Sequence, residues 1–329
     1  MVAVYFYAPS KKAQKNIQQP QDQWTGIHSN FTAWIAQTYF HLKRAGFPCE
    51  IATKIPDEGI LVAEQESVEK YYPLLDNVML VYTRSDQDYH PSAHLHIVHN
   101  RLSWEKTRNS LWNPHFIEHW PMPGIIPRDR TRETLVENIS YIGTRSQLAP
   151  ELKSQSWTDA LEDLNCRWKP IWETHQWNDY NDLDVIVAAR SFDARSYPLK
   201  GPIKLLNAWQ AGVPAILTPE SGFMAERKTD LDFIIVRSLQ EAIAAIRYLQ
   251  DNPDLYQKMS INALERAQDY TVERVLKQWL DFFNDVAFPA YLEWTSMSHA
   301  SRKQIFRKRF LYFKTLRVGD KISRLISKR

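Results

Sequence analysis

The chain has 329 residues, of which 44% are hydrophobic and 24% charged. That length suits about two domains with a core each, and the composition excludes wholesale disorder, collagen-like repeats and a disulfide-stapled miniprotein. The net charge of +3 is uneven: residues 301–329 hold 11 Lys or Arg against Asp320 alone, a net +10 that leaves −7 for residues 1–300.

Cys49 and Cys166 lie far apart with no CxxC partner, which argues against a zinc ribbon or disulfide framework and suits a reducing compartment. No apolar run reaches about 18 residues, and MVAVYFYAP lacks the basic start and cleavage site of a signal peptide. A cytoplasmic protein is expected.

In chain order, Val2–Tyr7 reads as a buried strand, and the polar, Gln-rich stretch Pro9–Gln23 as a long loop. Ser29 is a plausible N-cap for an amphipathic helix whose apolar positions Phe31, Trp34, Ile35, Thr38, Tyr39 and Leu42 recur at three and four, stopping at Gly46. Short strands follow from Cys49, over Asn77–Tyr82 and over His94–His99, so strands alternate with helices as in a parallel α/β sheet. Pro121, Pro123 and Pro127 exclude helix or central strand and read as a linker.

A second series begins at Ile139–Gly143 and continues with the strand Asp184–Ala189, a helix Ile203–Ala211, and strands Pro214–Leu217 and Phe233–Val236. From Leu239 to Leu249 and from Asp254 to Phe283 the spacing is helical, broken at Asn252-Pro253, with Thr271 as an N-cap. The expected domains are 1–127, 128–285 and a basic tail, 286–329.

The segment SYPLKGPIKLLNAWQAGVPAILTPESGFMAERK, from Ser196, encodes a loop, a helix opening near Pro202, a Gly212 stop, a buried strand and another loop. Lys204 in the first turn and the backbone N–H groups of both loops would face the carboxyl ends of the strands, where phosphates bind. A plain βαβ crossover with a solvated lysine fits the same pattern.

The run Lys204-Leu-Leu-Asn-Ala-Trp-Gln-Ala-Gly-Val-Pro214 resembles the donor-site helix of GT-B glycosyltransferases, of the kind found in families 1 and 4. Asn138–Gly143 is similar to the first strand of their C-terminal domain, and Asp184–Val187 to the strand before the donor loop. Residues 262–271 resemble the closing helices, so the likeness spans about 150 residues from Asn138 to Phe283. The N-terminal half is similar in plan, through its first strand, the loop Trp24–Ser29, and Ala45-Gly-Phe-Pro-Cys-Glu-Ile-Ala.

The resemblance implies an α/β fold of two Rossmann-like domains facing across a cleft. It also implies a UDP- or GDP-type sugar donor held by the second domain, and transfer to a hydroxyl acceptor with no essential metal or other cofactor. A lipid-linked or cell-surface glycan is one acceptor class. Two glutamates eight positions apart mark retaining members; here those places hold Leu199 and Asn207. A catalytically silent binding or scaffold protein of the same fold, or a nucleic-acid-directed glycosyltransferase, is the alternative.

Diphosphate binding needs fixed cations where leaving-group charge develops. Arg190, directly after a strand, and Lys204 are the candidates; Arg190 paired with Asp193 on the surface is the bland alternative. Asn207, Glu220, Ser221 and Gly222 complete the expected donor contacts. Inversion needs a base to take the acceptor proton. His28 fits by position, with Asp86, or Asp88 beside it, as the alternative; Trp24 and Gly26 belong to the same acceptor loop. His96, His99, His115 and His119 lack a helical zinc-pair spacing, and the DxD pairs Asp86/Asp88, Asp182/Asp184 and Asp230/Asp232 only slightly exceed chance, so no metal site is expected.

In the tail, Phe306, Phe310, Phe313, Val318, Ile322 and Leu325 recur at three and four among basic residues, suggesting two short helices parted near Gly319. Such a helix suits an anionic membrane surface, reached peripherally. Contact with nucleic acid, and packing of the helix back on the N-terminal domain, are the competing readings.

Overall fold

A computed structural model describes residues 2–18, 29–68, 71–74, 76–193 and 195–326, with backbone alone from 319 on. Compactness divides the chain into two units. One holds the N-terminal strand and helix, residues 30–118 and the chain from Val275; the other holds His119–Arg274.

The first unit opens with β1 (Val4–Tyr7) and α1 (Lys11–Gln18). The stretch expected to be a loop therefore starts as a helix. Ser10 caps it by accepting from the N–H of Ala13 at 3.1 Å, and Ala13 and Ile17, one turn apart, are buried. The next helix enters through a π-helical segment, Thr32–Ala36, and continues as α2 (Gln37–Arg44). Then come β2 (Glu50–Ala52), β3 (Gly59–Glu64), α3 (Gln65–Val68), β4 (Val78–Thr83), β5 (Ala93–Val98), α4 (Arg101–Thr107) and β6 (Pro114–Phe116). All six strands pair in parallel, in the order β2-β1-β3-β4-β5-β6. β3 and β4 are buried along their whole length, as strands covered on both faces must be, which explains their unbroken apolar runs.

The second unit carries β7 (Asn138–Ser140), α5 (Gln155–Asp163), β8 (Arg167–Trp168), β9 (Val185–Ala188), α6 (Ile203–Ala211), β10 (Ala215–Leu217), α7 (Ser221–Glu226), β11 (Ile234–Ile235), α8 (Leu239–Asp251) and α9 (Pro253–Ala267). Its five strands are parallel in the order β11-β10-β9-β7-β8. Gly212, left-handed at φ 70°, ends α6 as its sequence foretold.

The Pro-rich stretch folds onto this second unit. Its Arg128, with Arg132 beyond it, reaches the buried carboxylate of Asp184 at 2.8 and 2.7 Å, and the N–H groups of Asn138 and Glu137 donate to the same group. Burial alone would raise the Asp184 pKa; the donors around it hold it below the ordinary value. Asp184 is thus a strand-entrance anchor. Asp232 has the same standing, accepting from the N–H groups of Lys228 and Thr229 and pairing with Arg266 at 3.1 Å.

The chain then returns to the first unit through α10 (Val272–Asp281), α11 (Phe288–Ser296) and α12 (His299–Ile326). α12 is one continuous helix through Gly319, not the expected two. An interior glycine costs only about 1 kcal/mol, less than packing of the preceding turns supplies. Residues 84–92, between β4 and β5, hold no helix, and α12 covers that span. Arg309 donates to the carbonyl of Ala93 at 2.8 Å, Phe310 meets Tyr72, and Phe313 is buried with Tyr89, Val98 and Trp112. Among the described residues, no helix is long and apolar enough to cross a membrane.

Candidate functional site

In each sheet the strand order reverses once, between β1 and β3 and between β7 and β9. Ligands of open α/β sheets bind outside the carboxyl ends of the strands at such a reversal. In the second unit the loops that leave β7, β9 and β10 meet there, together with the first turn of α6.

Arg190, two residues past the end of β9, forms an ion pair with Glu220, from the loop after β10; the two side chains are 13% and 3% exposed. The Arg190 Nε also donates to Gln147 Oε1 at 3.3 Å, and the guanidinium lies 5.7 Å from the Tyr197 ring centre. Glu220 accepts from the Thr218 hydroxyl at 3.3 Å. Burial raises its pKa, against the pull of Arg190.

Lys204 reaches from α6 to the loop after β7. Its ammonium donates to the carbonyl of Ile142 at 2.5 Å and lies 4.6 Å from the Tyr141 ring centre. Burial, then the nearby positive charge of Arg190, pull its pKa down from 10.5 to about 7. Burial likewise pushes the Tyr141 hydroxyl up to about 12, with opposing influences from Arg190 and Glu220. Gly143 closes the cluster at φ 149°: a Cβ there would run into the Lys204 ammonium and come within 2.9 Å of the Tyr141 hydroxyl. A guanidinium and an ammonium thus converge beside a bare backbone at the sheet's reversal. That arrangement suits an anionic group of phosphate type.

The other candidates divide. Ser221 and Gly222 sit under the loop before α6. The Ser221 N–H donates to the carbonyl of Ser196 at 2.7 Å, and a Cβ on Gly222 would lie 2.5 Å from the carbonyl oxygen of Lys200. They shape that loop rather than joining the cationic cluster. Asn207 is buried one turn along α6, its amide 3.4 Å from the Met122 sulfur, next to Tyr180. Asp193 pairs with Arg195, not with Arg190.

In the first unit Asp86 is half-buried in the loop beyond the carboxyl end of β4, and the exposed Asp88 lies 4.0 Å from Arg317. Trp24, Gly26 and His28 lie outside the described residues. Tyr141, Gly143 and Gln147 were missed by sequence reasoning. The glycine closing the first strand of the second series was the one available signal for them.

No family model and no curated protein matches the chain. Solved structures do. HepE of Anabaena, in complex with UDP-glucose, aligns at a TM-score of 0.52 and 12% identity over 87% of this chain and 100% of that one. TarM of S. aureus aligns at 0.51 and 13%, over 76% of this chain and 58% of its own, so the match spans little more than half of TarM. The pneumococcal O-GlcNAc transferase GtfA, in complex with UDP and GlcNAc, aligns at 0.50 and 12%, over 77% of this chain and 60% of its own. With two parallel α/β units, the chain has the GT-B fold that these structures share.

Proposed function

We propose that this protein transfers a sugar from a nucleotide-diphosphate donor to a hydroxyl acceptor. The observation that carries the proposal is the convergence of Arg190, Lys204 and Glu220 at the reversal of the second sheet. Arg190 and Lys204 hold the diphosphate and stabilise the charge that grows on it as the sugar leaves. They fill the place of a metal ion. Glu220 orients Arg190 and offers a carboxylate to a ribose or sugar hydroxyl. Ser221 and Gly222 hold the loop in front of the site, with Asn207 behind it.

In this reading a base, His28 or Asp86, removes the acceptor proton as the new glycosidic bond forms and the nucleotide diphosphate departs. The neighbours solved with UDP and UDP-glucose favour a UDP-type donor. Leu199 and Asn207, standing where retaining relatives of the fold carry glutamates, favour the second reading of a silent binding protein.

Thermal shift against UDP, GDP, ADP, CMP and dTDP, with and without EDTA, tests the donor site. At about a hundred times its Kd a nucleotide adds about 2.7 kcal/mol, several degrees in a protein of this size. A selective shift that survives EDTA and disappears in Lys204→Met supports the proposal, and hydrolysis of the matching nucleotide sugar then separates enzyme from binder. Folded protein that responds to none of the five would overturn it.

A further inference from the structure

At the opposite, amino-terminal edge of the first sheet, before β4 and β5, a cavity of about 280 Å³ opens beside α12. Its walls are largely apolar, through Leu74, Pro91, Trp294 and Phe306, its α12 side carries Lys303 and Arg307, and the carboxylate in its lining, Asp76, is paired with His299. Ser92, only 6% exposed, and Arg309 also line it. The Ser92 hydroxyl and the Arg309 Nε–H have no hydrogen-bond partner among the described residues. Buried polar atoms of this kind ordinarily find one.

The first turns of α12 extend the same chemistry outward. No acidic residue occurs from His299 to Val318. Lys303, Arg307, Lys308 and Lys314 are exposed and make no ion pair among the described residues. Leu311 and Val318, 66% and 57% exposed, stand seven apart, hence on one face, away from the packed Phe313. Apolar residues flanked by cations fit the boundary between headgroups and acyl chains, and a pocket that is basic at its mouth and apolar in its walls fits a phosphate on an apolar body.

We infer that this cavity takes the phosphodiester headgroup of an anionic phospholipid while the outward face of α12 lies on the bilayer. The site belongs to the first unit and the cationic cluster to the second, and it does not depend on sugar transfer.

Flotation of the full chain with phosphatidylcholine vesicles, with or without phosphatidylglycerol, tests this directly. The chain floats only with the anionic vesicles, and Lys303→Glu with Arg307→Glu weakens binding about tenfold or more. The melting temperature of the double variant stays at the wild-type value, because both side chains are exposed; Lys303→Gln with Arg307→Gln serves if it does not. Lys258→Glu, on the exposed side of α9, leaves flotation intact, and so does excess inorganic phosphate at constant ionic strength.

Four outcomes would overturn the inference. They are wild-type protein that stays behind, a double variant that floats equally well, a Lys258→Glu variant that loses as much, and release by inorganic phosphate. Tighter retention on duplex DNA than on vesicles at the same salt, lost in the same double variant, would assign the surface to nucleic acid instead.

Discussion

The ammonium of Lys204 donates 2.5 Å to the carbonyl oxygen of Ile142, tying the first turn of α6 to the loop after β7 across 62 residues of sequence. The bond places a cation whose pKa has fallen to about 7 at the reversal of the second sheet. A bound diphosphate favours the charged form, so binding takes up a proton. Affinity then falls as pH rises above about 7, by up to about tenfold per unit. Titrations of the matching nucleoside diphosphate from pH 6 to 9 should show this slope in the wild type and a weaker, flat response in Lys204→Met. Without nucleotide, the unfolded chain binds more protons between about 7 and 10.5, so wild-type stability gains on the variant as pH rises through that window.

Arg190 and Glu220 form a buried pair, in which one charge without the other is costly. Arg190→Met should lower stability by about 3 to 5 kcal/mol, whereas Arg190→Met with Glu220→Leu should recover most of the loss. Neither should retain a nucleotide shift. Chemical denaturation with a nucleotide titration separates the two effects; recovery of binding in the double variant would remove Arg190 from the site.

Gly143→Ala inserts a methyl group where the Lys204 ammonium stands and keeps a φ that side chains resist. A loss of about 1 to 3 kcal/mol is expected, with weakened nucleotide binding because Lys204 is displaced. Unchanged binding by calorimetry would show that Lys204 does not contact the ligand.

Asp184 gathers Arg128, Arg132 and two backbone N–H groups. Its pKa is depressed, so its contribution is present above the ordinary 3.8 and is lost as pH falls through the lower folded value. Asp184→Asn should cost about 3 kcal/mol at neutral pH and flatten the acid limb of the stability curve. Denaturation midpoints from pH 2 to 7 check both.

Phe313, on the packed face of α12, is 7% exposed. Phe313→Ala should cost about 3 kcal/mol, and truncation after Ser298 should unfold the first unit, while truncation after Val318 leaves its melting temperature unchanged. Circular dichroism melts distinguish these, since a tail that served only as a surface tether would tolerate either truncation.

Much of the plan was written in local pattern. Apolar runs with turn residues between them marked the parallel strands, and Pro202, Lys204 and Gly212 marked the helix they bound, because period and capping act within a few residues. Arg190 and Lys204 were legible as cations at strand and helix ends. Their partners were not. Glu220 meets Arg190, and Ile142 meets Lys204, only because parallel strands bring the ends of distant segments to one edge.

Helix α1 escaped notice because two buried residues one turn apart, under a single serine cap, give too weak a period. In the tail, sequence specified a basic face and an apolar face. Only the fold decided that Phe313 and Arg309 fill the span between β4 and β5 left without a helix, while Lys303 and Arg307 stay outside. Local periodicity says which residues share a face; what covers that face is set by the shape and unmet hydrogen bonds of surfaces far along the chain.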